Sequence, residues 1–363
     1  MKIDVPISPK EDLKLTASII VLAYKRTSFI MDAVKSVSSN GLIESKLEVI
    51  VAKSFIDTEI ENALIGLNCK VIHFDSHIIG KRFLEAMKVA TGEIIFLLDD
   101  DDIFLQNKIQ CHLEFYEKYP EVNYIENGFI PIDVTGQQLT TSIRKRARSI
   151  RASENDVLIL SGPYNPFDIV YANIGLGMGF NSSRVSFRRK AILPYIDYLA
   201  NIEINLDTGL FFVAFYFLDK IIDDKRELTG YRIHSSNISS HSVNQRKPSE
   251  TIDAVMKYAS FTDSFYRQTI EYFDPLIKDP LFVSFCRSFE ETTSLYLSIM
   301  RRSNRRSIAI NLIAQIKSSL NCHRIRFFYR SILMSSLIAI LGLLSTKFVE
   351  KITVLLGITP NLV

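Results

Sequence analysis

Gly92-Glu-Ile-Ile-Phe-Leu-Leu-Asp99-Asp100-Asp101-Asp102-Ile-Phe-Leu-Gln-Asn-Lys108 joins an apolar run of strand length to four consecutive carboxylates. Ile94 to Leu98 reads as a buried parallel strand, which puts the acids at its carboxyl end, where open α/β sheets bind ligands. Like charges a few Å apart repel unless something positive sits among them, so the cluster asks for a cation. Mg²⁺ and Mn²⁺ take oxygen ligands and are commonly held by one or two carboxylates while phosphate oxygens complete the shell. The tetrad therefore reads as a metal–diphosphate site. An acidic turn opening a helix, favoured by the helix dipole, is the other reading of these four residues alone.

Outward from the tetrad, the pattern is strand alternating with helix. Ala17 to Ala23 is a β-branched apolar run, followed by the loop Tyr24-Lys25-Arg26-Thr27 and an amphipathic segment from Phe29 to Val37. Leu47 to Ala52 and Lys70 to Phe74 are the next strands. Asp57 to Leu67 and Phe83 to Ala90 are the helices after them, and Thr91-Gly92 supplies a stop signal. This alternation predicts a parallel sheet with crossovers, the tetrad ending its fourth strand. A helix starting near Leu105 and stopping before Pro120 is expected next, then short strands at 122–125 and 128–134.

The chain has 363 residues, enough for one large domain and an appendage. A net charge of +3 is too small to argue for a nucleic-acid partner. Cys69, Cys111, Cys286 and Cys322 are scattered without metal-binding spacing and read as free thiols. No cleaved signal peptide is apparent before Lys14.

With these residues in hand the chain resembles the family 2 glycosyltransferases, which share the nucleotide-sugar-binding GT-A fold. Ser18-Ile-Ile-Val-Leu-Ala-Tyr-Lys-Arg is similar to the family's opening strand and nucleotide loop. Ala90-Thr-Gly-Glu-Ile-Ile-Phe-Leu-Leu-Asp-Asp-Asp-Asp is similar to its DxD motif, and Tyr231-Arg-Ile-His-Ser-Ser-Asn-Ile-Ser to its closing phrase. The resemblance implies an α/β fold, a mostly parallel sheet flanked by helices, over 17–247. A lead-in at 1–16 precedes it, with a helical extension at 248–300 and a basic, apolar helical region at 301–363 after it. It also implies an inverting, metal-dependent transfer from a nucleoside-diphosphate sugar to a hydroxyl of a glycan, glycolipid or lipid-linked acceptor. Tyr24, Lys25 and Arg26 would line the nucleotide site. Asp99 and Asp101 would hold ribose and metal (Mn²⁺ or Mg²⁺), with Asp100 beside the nucleotide and Asp102 and His234 beside the metal. A non-catalytic nucleotide-sugar-binding module and a metal-dependent nucleotidyltransferase are the alternatives.

Two positions depart from the family's pattern. Its members usually follow the second strand with an acid that reads the base; here Val51-Ala52-Lys53-Ser54-Phe55 puts a lysine there, which cannot accept a base N–H. Main-chain groups read the base instead, or the donor differs from the common uridine type, or Lys53 contacts phosphate. The family's acidic pair before a late helix is reduced in Asn205-Leu-Asp207-Thr to Asp207, which would be the general base; Asp also caps helices well.

Basic residues Arg144, Lys145, Arg146, Arg148 and Arg151 form a solvated loop or meet an anionic acceptor. Near the C-terminus, helical segments at 252–273 and 281–300 are interrupted by Pro275 and Pro280. Cations from Arg301 to Arg330 then flank the uncharged run Ser331 to Thr346, and Ile352 to Ile358 follows. This pattern predicts peripheral or shallow contact with the cytoplasmic face of a membrane, against a helical cap or a dimer surface.

Overall fold

The computed structural model describes residues 14–38, 40, 46–139, 157–162, 168–169, 172–173, 176–234, 237, 248–301, 308, 310–314 and 316. The basic stretch Arg144 to Arg151 and the apolar stretches Ser331 to Thr346 and Ile352 to Ile358 lie outside the described residues. Two compact units divide the chain, Met1–Arg232 and Ile233–Val363.

Among the described residues the first unit is built on a nine-stranded mixed sheet. Its parallel half follows the expected alternation: β1 (Ala17–Ala23), α1 (Ile30–Ser38), β2 (Leu47–Lys53), α2 (Thr58–Gly66), β3 (Cys69–His73), α3 (Ile79–Val89) and β4 (Ile94–Asp99). The strands lie in the order β3-β2-β1-β4 and pair in parallel. Side chains from both faces of β1 and β4, Ile19, Val21, Phe96 and Leu98 on one and Ile20, Leu22, Ile95 and Leu97 on the other, are fully or almost fully buried. Such burial on both faces is why these strands read as continuous apolar runs. Ile30 and Val34 of α1 cover one face with Leu113 of α4 (Lys108–Lys118).

Beyond β4 the pairing changes. β8 (Val185–Arg188) runs antiparallel to both β4 and β6 (Val122–Ile132), and β6 is parallel to β9 (Lys220–Arg232). β5 (Ile103–Phe104) and β7 (Val157–Ser161) are each antiparallel to β9. The two short strands expected at 122–125 and 128–134 are one strand, β6. Register shifts against β9 fall within it, between Val122 and Tyr124 and on either side of Gly128. Helices α5 (Ile196–Ala200) and α6 (Leu206–Phe217) complete the unit.

Strand register explains how the sheet positions a site. Pairing of Leu22 with Asp99 and of Ala23 with Lys53 brings the ends of β1, β2 and β4 level, so the loop after β1 faces the acids that end β4. On the other side, Ile103 pairs with Gly230, which delivers Arg232 to the same acids.

In the second unit α7 (Pro248–Ile277) runs on through Pro275, which was expected to interrupt it. The proline stands in the last turn, two residues before the helix ends at Ile277. The break falls at Lys278-Asp279, where Asp279 accepts from the N–H groups of Leu281 and Phe282 and caps α8 (Pro280–Met300). No helix among the described residues is long and apolar enough to cross a membrane.

Candidate active site

The acids at the end of β4 are packed side by side and largely buried, and the structure supplies a cation at their mouth. Arg26 donates from Nη2 and from Nε (3.1 Å) to Asp100 Oδ1, and the same Nη2 lies 2.8 Å from Asp101 Oδ2. The Arg26 side chain is 24% exposed, against 2% for Asp100 and 9% for Asp101. Burial pulls the Arg26 guanidinium down, but Asp101 and Asp100 more than offset it, so the group is held in its charged form. The loop that carries it is fixed by main chain: the Tyr24 N–H donates to Asp100 Oδ2 (3.3 Å), and Lys25, at φ +55°, donates its N–H to Ser54 Oγ (3.2 Å).

Asp102 is buried and accepts from three donors. Its Oδ2 accepts from Asn181 Nδ2 (2.6 Å) and Ser183 Oγ (2.7 Å), and its Oδ1 from the Arg232 N–H (2.8 Å). Burial and Asp101 push Asp102 up to about 7 against the pull of these donors; burial likewise carries Asp100 to about 7 despite Arg26. Asp99, whose N–H donates to Ser183 Oγ (2.9 Å), is raised well above the carboxylate range by burial and by Asp102, Asp101 and Asp207. Five carboxylates therefore share one electrostatic neighbourhood, and added positive charge stabilises it.

Asp207, second residue of α6, is the fifth. Its Oδ2 accepts from the Asn181 N–H (2.5 Å) and its Oδ1 from the Thr208 N–H (2.8 Å). Burial raises its pKa while those two N–H groups lower it. Asn181, at φ +69°, thus grips Asp102 with its side chain and Asp207 with its main chain. Asparagine tolerates that backbone region better than most residues.

Several positioning groups were not picked out from sequence. Lys108 of α4 is fully buried beneath the acids, donating to Ser183 O and to Thr229 Oγ1 (3.0 Å). Burial and Arg184 push its pKa well down, while Asp102 is the first of the acids that oppose this. Arg232 donates from Nε to Asp101 O (2.7 Å) and from Nη1 to Val134 O (2.9 Å), tying the acidic turn to the end of β6. Arg82 on α3 is buried with its guanidinium 4.9 Å from the Tyr24 ring centroid, and its Nε has no hydrogen-bond partner among the described residues. Nothing in the local sequence around Lys108, Arg82 or Arg232 signals such placement.

The sequence candidate Lys53 is engaged elsewhere. The Lys53 side chain is buried, with Nζ 2.5 Å from Glu61 Oε1 and 2.5 Å from Phe55 O, so its ammonium is engaged with α2 and the loop after β2 rather than offered to phosphate. His234 belongs to the second unit, and its N–H donates to Asn237 Oδ1 (2.6 Å). Among the described residues no three His, Cys, Asp or Glu side chains converge as a metal-binding group.

Comparison with known families decides what this geometry belongs to. The sequence profile described as glycosyl transferase family 2 matches residues 18–181, from β1 through the acids to Asn181. Residues 18–181 are a family 2 glycosyltransferase domain. No curated protein sequence matches the chain. Among solved structures, Staphylococcus aureus TarS 1-349 in complex with UDP-GlcNAc aligns with 89% of this chain and 91% of its own, at 13% identity and a TM-score of 0.48. A longer TarS structure, also 13% identical, gives a TM-score of 0.47; this chain spans 54% of its length. The glycosyltransferase domain therefore holds β1, its loop, the DxD-like acids and Asn181, whereas Asp207 and Arg232 come from sequence beyond the profile match.

Proposed function

We propose that the chain transfers a sugar from a nucleoside-diphosphate sugar to an acceptor hydroxyl with inversion, Asp207 acting as general base. The observation that carries this reading is the shared grip of Asn181 on Asp102 and Asp207. It places a base candidate beside the acids of a glycosyltransferase domain, although 105 residues separate Asp102 from Asp207 in the sequence. Two main-chain N–H groups orient the Asp207 carboxylate, and its raised pKa makes it a stronger proton acceptor than an exposed aspartate.

The acids fit a divalent ion of the Mg²⁺ or Mn²⁺ kind. They are oxygen donors, Asp101 stands at the mouth of the cluster, and a site with fewer than three protein side chains is one that diphosphate oxygens and water complete. Asp101 is the residue to hold it. Asp102, committed to three donors, supports the turn instead. Such an ion would neutralise charge on the departing diphosphate. Arg26 and Arg82 supply further positive charge on the donor side, and Asp99 and Asp100 lie beside the nucleotide loop.

The test is a thermal-shift and calorimetric screen of UDP, GDP, CDP and dTDP with their sugars, each with Mn²⁺, Mg²⁺ or EDTA. A ligand that binds only the folded state raises the melting temperature. Metal-dependent stabilisation by one nucleotide series is the expected result, and no response from any series refutes the donor site. For the acceptor, the cations and uncharged runs after Arg301 in the sequence favour a lipid-linked hydroxyl at a membrane surface. Full release of the chain by carbonate washing and no binding to anionic vesicles would refute that part.

A further inference from the structure

We propose that Arg26 is an exchangeable internal counter-ion: it occupies the acids in the absence of ligand, and transfers to the donor's diphosphate when nucleotide and divalent cation enter together. The inference rests on the donor-site reading above and concerns the order and coupling of binding.

Arg26 Nη2 touches both Asp100 and Asp101, so the guanidinium stands where a cation shared by those two carboxylates would stand. A second cation on the same Asp101 oxygen would face its positive charge at contact distance. Arg26, on the loop after β1, is also more exposed than the two carboxylates it bridges, 24% against 2% for Asp100 and 9% for Asp101. Because Tyr24 and Lys25 hold that loop through main-chain N–H groups, Arg26 can leave by side-chain rotation alone. The guanidinium fork matches a phosphate as well as a carboxylate, so a diphosphate offers it an equivalent partner. Arg26 then frees the Asp101 carboxylate for the ion, and the same diphosphate supplies that ion's remaining oxygens. Nucleotide and metal are in this way positively linked, each removing an obstacle to the other.

The test measures binding, not turnover. Free Mn²⁺ is counted by electron paramagnetic resonance with and without saturating UDP, or the diphosphate the screen selects, for wild type, Arg26→Gln and Arg26→Lys. In the wild type, nucleotide should tighten Mn²⁺ by about tenfold or more, within the range of ordinary coupling energies. Arg26→Gln should bind Mn²⁺ alone about tenfold tighter than wild type and lose most of the nucleotide effect. Arg26→Lys keeps the charge and loses the fork, so Mn²⁺ alone should bind within about threefold of wild type while nucleotide weakens about fivefold or more. Wild-type coupling in Arg26→Gln overturns the exchange and leaves the donor site standing. Binding of neither Mn²⁺ nor nucleotide to the wild type overturns both. If Arg26→Gln does not fold, Arg26→Lys decides alone, and wild-type nucleotide affinity in it overturns the exchange.

Discussion

Replacing Asp207 by Asn separates base catalysis from binding and folding. Removing a positioned general base typically costs about 10²–10⁴ in rate, or about 3–5.5 kcal/mol of transition-state stabilisation. The structural cost is smaller. The amide keeps one acceptor for the Asn181 N–H but turns a donor toward the Thr208 N–H, which resembles the loss of a helix cap at about 1 kcal/mol. That is small beside the roughly 5–15 kcal/mol by which domains are stable, so the variant folds. Taking a negative charge from beside Asp99 also relieves repulsion in the cluster, so nucleotide affinity should hold or improve. Steady-state turnover with the selected donor and calorimetry with its diphosphate, run on both proteins, give the two quantities. Burial holds the Asp207 pKa above the ordinary value, so the wild-type rate should fall on the acid side and the variant should lose that limb. Turnover within about tenfold of wild type, or nucleotide affinity falling in step with turnover, would refute the assignment.

Three further outcomes follow from the same geometry. Asp100 and Asp102 are raised to about 7 and Asp99 is raised well above its ordinary value by burial, so the folded state binds more protons than the unfolded one from about pH 4 upward. Metal-free protein should therefore lose stability as pH rises toward 7, and Mn²⁺ with nucleotide should flatten that slope in a melting series. Lys53→Met should leave nucleotide affinity within about threefold, because the ammonium it removes is bonded to Glu61, whose carboxylate is 31% exposed and can turn to water; a larger loss in calorimetry would return Lys53 to the donor site. Gly80→Ala should lower the melting temperature sharply, since its Cβ would lie 2.0 Å from Leu199 O and 2.8 Å from the Ala200 carbonyl carbon, backbone atoms of α5 that cannot rotate away. An unchanged melting curve would contradict that packing.

The alternation of strand and helix up to Asp99 was legible because it is written locally, in apolar runs of two different periods broken by Gly and polar residues. The antiparallel half was not, because β5 and β7 exist only as partners of β9, and the two segments at 122–134 merge through register shifts that no local signal marks. The site divides in the same way. Sequence alone determined that four carboxylates end a buried strand and therefore need positive charge, and it offered Asp207 as a base. Only the tertiary structure decided that Arg26, 74 residues from Asp100, supplies charge at the mouth while Lys108 lies beneath. It also decided that Lys53 is spent on Glu61, that Asp102 accepts from Asn181, Ser183 and the Arg232 N–H, and that Asn181 joins it to Asp207. The physical reason is that charge repulsion is a property of neighbours in sequence, whereas its relief depends on which strands lie side by side and in what register.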